Sequence, residues 1–367
     1  MFNKSFSKLV NWVDTRYNIT PIKNFIEHKK VPVHKHSLFY YLGGISLFLF
    51  IVQVITGILL LMYYKPGEDS AYESVRFILT DVNFGWLIRN VHSWSANLMI
   101  FFTFAHMFSV YFTKAYQKPR ELTWVTGFLL LTLALGFGFS GYLLPWNELA
   151  FFATKVGTDI AGAVPIIGDT IKDVLRGGDD VSGATLSRFY GIHVAILPLL
   201  FTFMLVFHLF FVQKQGMHEP DSFKKLPAEN KKYTPFFPNF ALKDALIWLI
   251  VFNILLFLAL IFPWELGLKA DPFASAPAGI KPEWYFMFMF QTLKIIPAHV
   301  LFIEGEVLGI LTFALAGLLW MIIPFIKIEG KANSRFDVMK WIGIVLVVYI
   351  VVLTVIGYIS SANTAGG

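Results

Sequence analysis

FGWLIRNVHSWSANLMIFFTFAHMFSVYF, from Phe84 to Phe112, and LSRFYGIHVAILPLLFTFMLVFHLFFV, from Leu186 to Val212, are the two stretches of sequence that decide the fold. Each is long and apolar enough to cross a bilayer, which takes about 20 mostly apolar residues. Each nevertheless carries two histidines, and an ionisable side chain inside a membrane span is costly and usually functional.

The four histidines form two pairs with matched spacing. His92 and His106 are 14 residues apart, and His193 and His208 are 15 residues apart. At 3.6 residues per turn, both members of a pair fall near one helix face, roughly 21 Å apart along the axis. Two such helices side by side predict two bis-histidine sites stacked across the membrane, which is the arrangement needed to carry electrons through a bilayer.

The composition indicates a membrane protein, with 56% hydrophobic and only 15% charged residues. Cysteine is absent, which excludes disulfides, thiolate metal sites and thioether-linked haem. The net charge of +6 does not indicate nucleic-acid binding, because the charges lie between apolar spans and reflect membrane topology.

Seven segments are predicted to span the membrane, so we expect an all-α, polytopic fold. The predicted spans are A (Leu38–Tyr63), B (Phe84–Phe112), C (Leu122–Leu144), D (Leu186–Val212), E (Leu242–Phe262), F (Val300–Ile326) and G (Met339–Ile359). Of the Lys and Arg residues, 20 lie on the side of the N-terminus and 10 on the other. The positive-inside rule places the N-terminus in the cytoplasm, here called the n side, and the C-terminus outside, on the p side.

Four regions follow from these spans. Residues 1–36 are expected to be a cytoplasmic N-terminal segment with a surface helix, and residues 37–215 a four-helix bundle of spans A to D. Residues 216–241 form a cytoplasmic connection, and residues 242–367 a C-terminal module of three helices. The connection between spans C and D, from Ile166 to Arg176, alternates apolar and charged residues, which predicts short amphipathic helices on the p-side surface.

Haem is the ligand that best suits the histidine pairs. Four unrelated histidines would not show matched spacing and depth, and zinc needs more ligands than one pair supplies. Haem with both axial positions filled transfers electrons and does not bind oxygen. Glycines repeat at the same spacing and would leave room for a flat macrocycle, although small-residue helix packing is the alternative explanation. They are Gly43 and Gly57 in span A, and Gly127 and Gly141 in span C.

Three charged residues have both a functional and an ordinary interpretation. Arg89 and Arg188 precede His92 and His193 by three and five residues, where they could bind haem propionates or anchor the helices at the membrane surface. Glu283 lies in an apolar, aromatic stretch, where its pKa would be raised and it could accept a proton. Taken alone, it is more often an ordinary interfacial acid.

Motifs over nearly the whole chain resemble cytochrome b of the quinol-oxidising bc and bf complexes. Up to about residue 220 the likeness is closest to the photosynthetic (bf) branch, and beyond it to the three-helix subunit that is separate in photosynthetic complexes; here the two are fused. The motifs are DVNFGWLIR (Asp81–Arg89), KPRELTWVTG (Lys118–Gly127), GYLLPW (Gly141–Trp146), RFY (Arg188–Tyr190), ADPFA (Ala270–Ala274) and PEWY (Pro282–Tyr285).

The resemblance implies two non-covalent b-type haems, one held by His92 and His193 on the p side and one by His106 and His208 on the n side. It further implies a p-side quinol site in which Glu283 takes a quinol proton, with the phenols of Tyr142 and Tyr285 nearby. One quinol electron goes to a Rieske iron-sulfur protein and then to a c-type cytochrome. The other crosses both haems to an n-side quinone, near which we place Lys243 and Asp244.

Some positions depart from the family pattern. Tyr41 stands where the photosynthetic branch has the cysteine that links an additional haem. Ser109 and Gln213 stand near the n-side histidines where arginine is usual, and the fourth C-terminal span of mitochondrial members is missing. The n-side site is therefore less defined than the p-side site.

We therefore expect the cytochrome b subunit of a respiratory, proton-translocating quinol:cytochrome c oxidoreductase in a bacterial inner membrane. A homodimer of the complex is expected by resemblance alone. The alternatives are cytochrome b of a photosynthetic bf-type complex, and a dihaem anchor that relays electrons between quinone and a soluble dehydrogenase or reductase. A haem-free transporter would not need the histidine ladder.

Overall fold

Seven helices of the computed structural model are long and apolar enough to cross a membrane, within the described residues 2–18, 20–21, 24, 28–277, 280–326 and 337–362. These spans are A (Ser37–Leu61), B (Gly85–Phe112), C (Glu121–Leu143), D (Gly183–Gln215), E (Phe236–Ile261), F (Gly305–Phe325) and G (Val338–Ser360). The all-α, seven-span prediction is confirmed. The F/G connection, whose Lys and Arg residues entered the charge count, lies outside the described residues at 327–336.

Spans A to D pack as two pairs, A along B and C along D, with B also against C. Halfway along the bundle, Phe50 of span A and Phe201 of span D are in contact, with ring centres 4.4 Å apart. Met99 of span B and Ala134 of span C are buried at the same depth. This apolar layer lies midway between the two histidine depths, so it separates the bundle into two compartments.

The three C-terminal spans lie against the outside of this bundle. Span E packs on spans A and B, span F on span C, and span G on span B. The division of the chain into regions at 216–241 stays a prediction.

Shorter helices cover the connections between the spans. They are α1 (Phe2–Tyr17), α2 (Ala71–Thr80), α3 (Glu148–Gly162), α4 (Gly168–Arg176), α5 (Asp221–Lys224) and α6 (Trp284–Ile295). Helix α4 falls in the connection where amphipathic helices were expected. Its last residue, Arg176, is buried and forms a salt bridge of 3.0 Å with Asp159 of α3. Charge pairing therefore joins these two helices.

Two short strand pairs depart from a purely helical chain. Strand β1 (Lys30–Pro32) pairs antiparallel with β2 (Tyr233–Pro235), which ties the N-terminal segment to the connection between spans D and E. Strand β3 (His299–Val300) pairs with β4 (Ile303–Glu304). The predicted start of span F at Val300 was therefore wrong, because a hairpin occupies these residues and the helix begins at Gly305.

Candidate functional site

The histidines of spans B and D face each other in two layers. The rings of His106 and His208 have centres 6.5 Å apart and lie nearly perpendicular, at 86°. Two imidazoles that bind one metal ion from opposite sides have ring centres about 6 Å apart, because a metal–nitrogen bond is about 2 Å long. His92 and His193 are likewise close enough to interact electrostatically. The spacing thus brings together the two pairs that it predicted.

The two histidines of span D are one residue further apart in sequence than those of span B, and a π-helical turn in span D accommodates that additional residue. His193 lies in the turn Ile192–Ile196, where the N–H of Leu197 donates to the carbonyl of Ile192, five residues earlier. Pro198 follows and has no N–H to donate, which favours such a break. A π turn holds one residue more than an α turn, so 15 residues in span D match 14 in span B. The sequence signal for this turn was the unequal spacing together with the proline.

Each histidine ring packs against one of the four repeated glycines. The nearest histidine atom to a Cβ built on the glycine is in every case Cε1. The distances are 2.7 Å for Gly141 and His193, 3.1 Å for Gly127 and His208, 3.1 Å for Gly43 and His106, and 3.4 Å for Gly57 and His92. A side chain at Gly141 would therefore displace the imidazole, while the approach at Gly57 is an ordinary contact.

Hydroxyl groups fix the orientation of three of these rings. Thr56 Oγ1 donates to the Val52 carbonyl at 2.6 Å and lies 2.8 Å from His92 Nδ1. Because that hydroxyl proton is used, Nδ1 must donate to the hydroxyl, which leaves the Nε2 lone pair for a ligand. Ser140 and Thr126 repeat this arrangement at His193 and His208, at 3.0 and 3.1 Å.

The fourth histidine, His106, differs from the others. The residue before its glycine is Leu42 rather than a serine or threonine. Its Nδ1 is buried and has no hydrogen-bond partner among the described residues. The hydroxyls of Thr56, Ser140 and Thr126 were not predicted from the sequence, although the Ser/Thr-Gly dipeptides were a visible signal.

The residues present fit two haems with two imidazole ligands each. The glycines leave the rings unobstructed, and three hydroxyls hold them with Nε2 free. The ring separation of His106 and His208 matches imidazoles on opposite sides of one ion. Each layer can thus hold a group that gains and loses an electron without an open coordination position.

The two arginines expected near haem propionates bind backbone carbonyls. Arg89 Nη1 donates to the Trp264 carbonyl at 2.7 Å, which ties span B to the connection after span E. Arg188 Nη1 donates to the carbonyls of Asp173 and Val174, at 2.7 and 2.8 Å. A role of either arginine at a propionate stays a prediction.

Beyond the His92/His193 layer, the PEWY motif and span C bring polar side chains together around Glu283, and we call this group of residues the glutamate pocket. Tyr142 and Tyr285 lie within electrostatic range of the Glu283 carboxylate. Burial raises the pKa of Glu283 above its ordinary value, and burial and the neighbouring carboxylate raise the pKa of Tyr285. Trp284 anchors the motif by donating from Nε1 to Asn97 Oδ1 at 2.8 Å. The structure therefore brings together the three residues predicted for this site.

Two contacts at this pocket were missed by sequence reasoning. A Cβ on Gly138 would approach the Tyr285 hydroxyl to 2.4 Å, so the bare backbone of span C makes room for that phenol. Tyr358 of span G also lies near Glu283, and its carbonyl accepts from Lys281 Nζ at 3.2 Å. No sequence pattern marked Tyr358, because the contact depends on how span G packs.

Beside the His106/His208 layer, Asp244 packs against span A. A Cβ on Gly44 would lie 2.6 and 2.7 Å from the two carboxylate oxygens of Asp244. Tyr41 is also near, stacked on Phe240 with ring centres 4.6 Å apart. Lys243 is exposed. The roles predicted for Asp244 and Lys243 at a quinone stay untested.

Two family models together match most of the chain. The Cytochrome b/b6/petB model matches residues 27–216, and the Cytochrome b(C-terminal)/b6/petD model matches residues 269–365. Together they account for both the histidine-bearing bundle and the PEWY-containing part.

Known proteins give the same result. The chain is 47% identical over 347 residues to the cytochrome bc complex cytochrome b subunit of Chlorobaculum thiosulfatiphilum, covering 94% of this chain and 80% of that protein. It is 45% identical to cytochrome b6 of Porphyra purpurea, over 58% of this chain and 99% of that protein. A solved structure titled Hyperthermophilic respiratory Complex III superposes with a TM-score of 0.83 at 29% identity, covering 95% and 91% of the two chains. The chain therefore belongs to the cytochrome b family, as a multi-pass subunit of a complex of the bc or b6f type.

Proposed function

We propose that this protein is the cytochrome b of a respiratory quinol:cytochrome c oxidoreductase, with two b-type haems. His92 and His193 hold the p-side haem, and His106 and His208 the n-side haem. The observation that carries this proposal is the facing of paired imidazoles in two layers, each against a glycine. Haem iron held in this way carries one electron at a time by alternating between its ferrous and ferric states.

The pocket around Glu283 serves quinol oxidation on the p side. A quinol must lose two protons as it gives up two electrons, and a buried carboxylate within reach is a suitable acceptor. The raised pKa of Glu283 makes it a stronger base than an exposed glutamate. Tyr285, with a pKa raised well above its ordinary value, stays neutral and can donate a hydrogen bond to a quinol oxygen.

The positions of Glu283 and Asp244 beside different histidine layers support a direction for electron transfer through the bundle. The glutamate pocket lies beside the His92/His193 layer, and Asp244 lies beside the other layer. One quinol electron passes to a Rieske protein and a c-type cytochrome, and the other crosses the bundle to a quinone near Asp244 on the n side. Protons released on the p side and taken up on the n side build a transmembrane potential. The membrane is the bacterial inner membrane, with the N-terminus in the cytoplasm.

The respiratory assignment and its alternative rest on different observations. The structural neighbour is titled a respiratory complex, and Tyr41 replaces the linking cysteine of the photosynthetic branch. The matches to cytochrome b6 keep photosynthetic membership as the second candidate. A dihaem anchor that merely relays electrons would not require a partly buried carboxylate with two phenols nearby.

The test replaces Glu283 by glutamine in the intact complex. We expect quinol oxidation to fall at least tenfold, because the amide cannot accept the proton, while both haem spectra stay unchanged. Glu265→Gln, at an exposed carboxylate in the same connection, is the matched control and should oxidise quinol normally. Normal turnover in the Glu283→Gln complex would favour the electron relay instead.

The pH profile sharpens this test. Glu283 accepts a proton only as the carboxylate, so the rate should rise with pH through its raised pKa and fall as pH drops below it. An exposed glutamate would give this limb at lower pH. The Glu283→Gln complex should no longer show this fall in rate at low pH. If the fall persists in that complex, another group is responsible for it.

A further inference from the structure

We propose that Trp248 is a ligand-binding residue of the n-side site, where its indole N–H and the carboxylate of Asp244 bind the same hydroxyl oxygen of a quinol, and the indole N–H alone binds the carbonyl oxygen of a quinone. The inference rests on the proposed function, which places quinone reduction beside the His106/His208 layer. It adds a residue that no sequence pattern had marked.

Two buried polar atoms on span E lack hydrogen-bond partners among the described residues. Asp244 Oδ1 and Trp248 Nε1 are shielded from solvent, and neither has a hydrogen-bond partner within the part of the chain that the structure describes. The two side chains lie one helical turn apart on span E, and the indole N–H is within hydrogen-bonding range of the carboxylate. Trp248 Nε1 and Asp244 Oδ1 nevertheless form no hydrogen bond of normal geometry within the described part of the chain. An acceptor and a donor therefore lie next to each other on span E, and neither has a well-formed hydrogen bond among the described residues.

The surrounding residues hold both groups in place. The Asp244 carboxylate packs directly against Gly44. A Cβ added to Gly44 would lie 2.6 Å from the nearest oxygen of Asp244. The Trp248 ring stacks on Phe48 of span A, with centres 5.3 Å apart at 26°. Span A thus holds both side chains in place by packing against them.

A single hydroxyl oxygen satisfies this pair, while a carbonyl oxygen satisfies only the indole N–H. A quinol oxygen can donate its O–H to Asp244 and accept from the Trp248 N–H, and a quinone carbonyl can accept from the indole. A buried donor and acceptor left without partners cost free energy, which a ligand of this kind recovers. The position also suits electron transfer, because Gly43, next to Gly44, contacts His106 of the n-side layer.

The test is re-oxidation of pre-reduced b haems by added quinone, in complexes that also carry Glu283→Gln to suppress the p-side route. Trp248→Phe should raise the quinone concentration for half-maximal rate at least fivefold, with unchanged haem spectra. Trp264→Phe is the matched control, since Trp264 Nε1 is also buried without a partner among the described residues but lies near Arg89, beside the other layer. It should behave like the parent.

An infrared measurement separates a ligand contact from a packing effect. A quinone with carbon-13 carbonyls should show a lowered carbonyl stretch in the parent, and this lowering should be lost in Trp248→Phe and kept in Trp264→Phe. If Trp248→Phe does not accumulate, Gly44→Ala disturbs the same space from span A and should also weaken quinone binding.

Three results would overturn the inference. Equal quinone dependence and equal carbonyl stretch in the two tryptophan variants would show that Trp248 does not touch the ligand. An unshifted carbonyl in the parent would indicate that the two groups bind only water. A parent whose haems quinone cannot re-oxidise would refute the proposed n-side function itself, and that failure is visible before any Trp248 variant is compared.

Discussion

The two histidine layers of the bundle have the same arrangement of paired imidazoles and glycines, but they differ in how many of the imidazoles have a hydroxyl partner. In the His92/His193 layer, both imidazoles have a hydroxyl partner, from Thr56 and Ser140. In the His106/His208 layer, His208 has one, from Thr126, whereas His106 Nδ1 has no partner in the part of the chain that the structure describes.

The polar residues beside the two layers differ in the same way, because those around Glu283 are held by more contacts within the chain than those around Asp244. Around Glu283, Trp284 has a hydrogen-bonded anchor and Tyr285 is packed into span C. Among the described residues, Asp244 Oδ1 and Trp248 Nε1 beside the second layer have no hydrogen-bond partner, whereas beside the first layer this holds for a single donor, Trp264 Nε1. Because buried polar groups are normally satisfied, we interpret the neighbouring unsatisfied donor and acceptor on span E as a place where a ligand binds. The first layer is thus largely preformed, and we interpret the second as completed by its ligand.

Loss of a histidine should have the largest effect on this comparison. Because iron needs both axial imidazoles to keep a bis-histidine haem, His193→Leu should remove the haem of the first layer and leave that of the second. His208→Leu should do the reverse, so each variant is the control of the other. Haem content per protein and low-temperature absorption spectra measure this. Loss of both haems, or of neither, in each variant would contradict two independent sites.

Glycine substitutions should have the next largest effect. The effect should be greater where the added Cβ would lie closer to the histidine ring. Gly141→Ala would place a Cβ 2.7 Å from His193 and should displace the ring, lowering haem occupancy severalfold or shifting the midpoint potential of that haem. Gly57→Ala, at 3.4 Å from His92 in the same layer, is the control and should change little. Redox titration of the two variants compares them. Equal effects would mean that the glycines serve helix packing alone.

A smaller effect is expected where span C receives Tyr285. Gly138→Ala would bring a Cβ within 2.4 Å of the Tyr285 hydroxyl, so the phenol must move and quinol oxidation should slow severalfold with normal haem spectra. Gly136→Ala, one half-turn away, meets Leu197 at an ordinary 3.5 Å and serves as the control. Steady-state quinol oxidation measures both. If the two variants turn over alike, the position of Tyr285 does not limit the reaction.

Much of the fold could be predicted from sequence because it depends on local composition. A bilayer requires about 20 apolar residues per span, and that length is visible in the chain. The histidine pairing was predictable because helical periodicity alone sets which residues share a face. The start of span F was missed because Val300 is apolar enough for a span yet lies in a hairpin.

The details of the site depended on contacts between distant parts of the chain. The partners of Asp244 and Tyr285 are the bare backbones of Gly44 and Gly138, and no periodicity indicates which glycine meets which side chain. The carbonyls that Arg89 binds belong to a connection 175 residues later in the chain. Such contacts follow from how helices pack, which hydropathy does not specify.

An optical redox titration of the purified protein tests the central claim most directly. Our account predicts two b-type haems per chain that titrate as separate one-electron steps with different midpoint potentials, because the two layers have different polar surroundings. A single haem, or none, would contradict the assignment of the paired histidines and the electron path that depends on them.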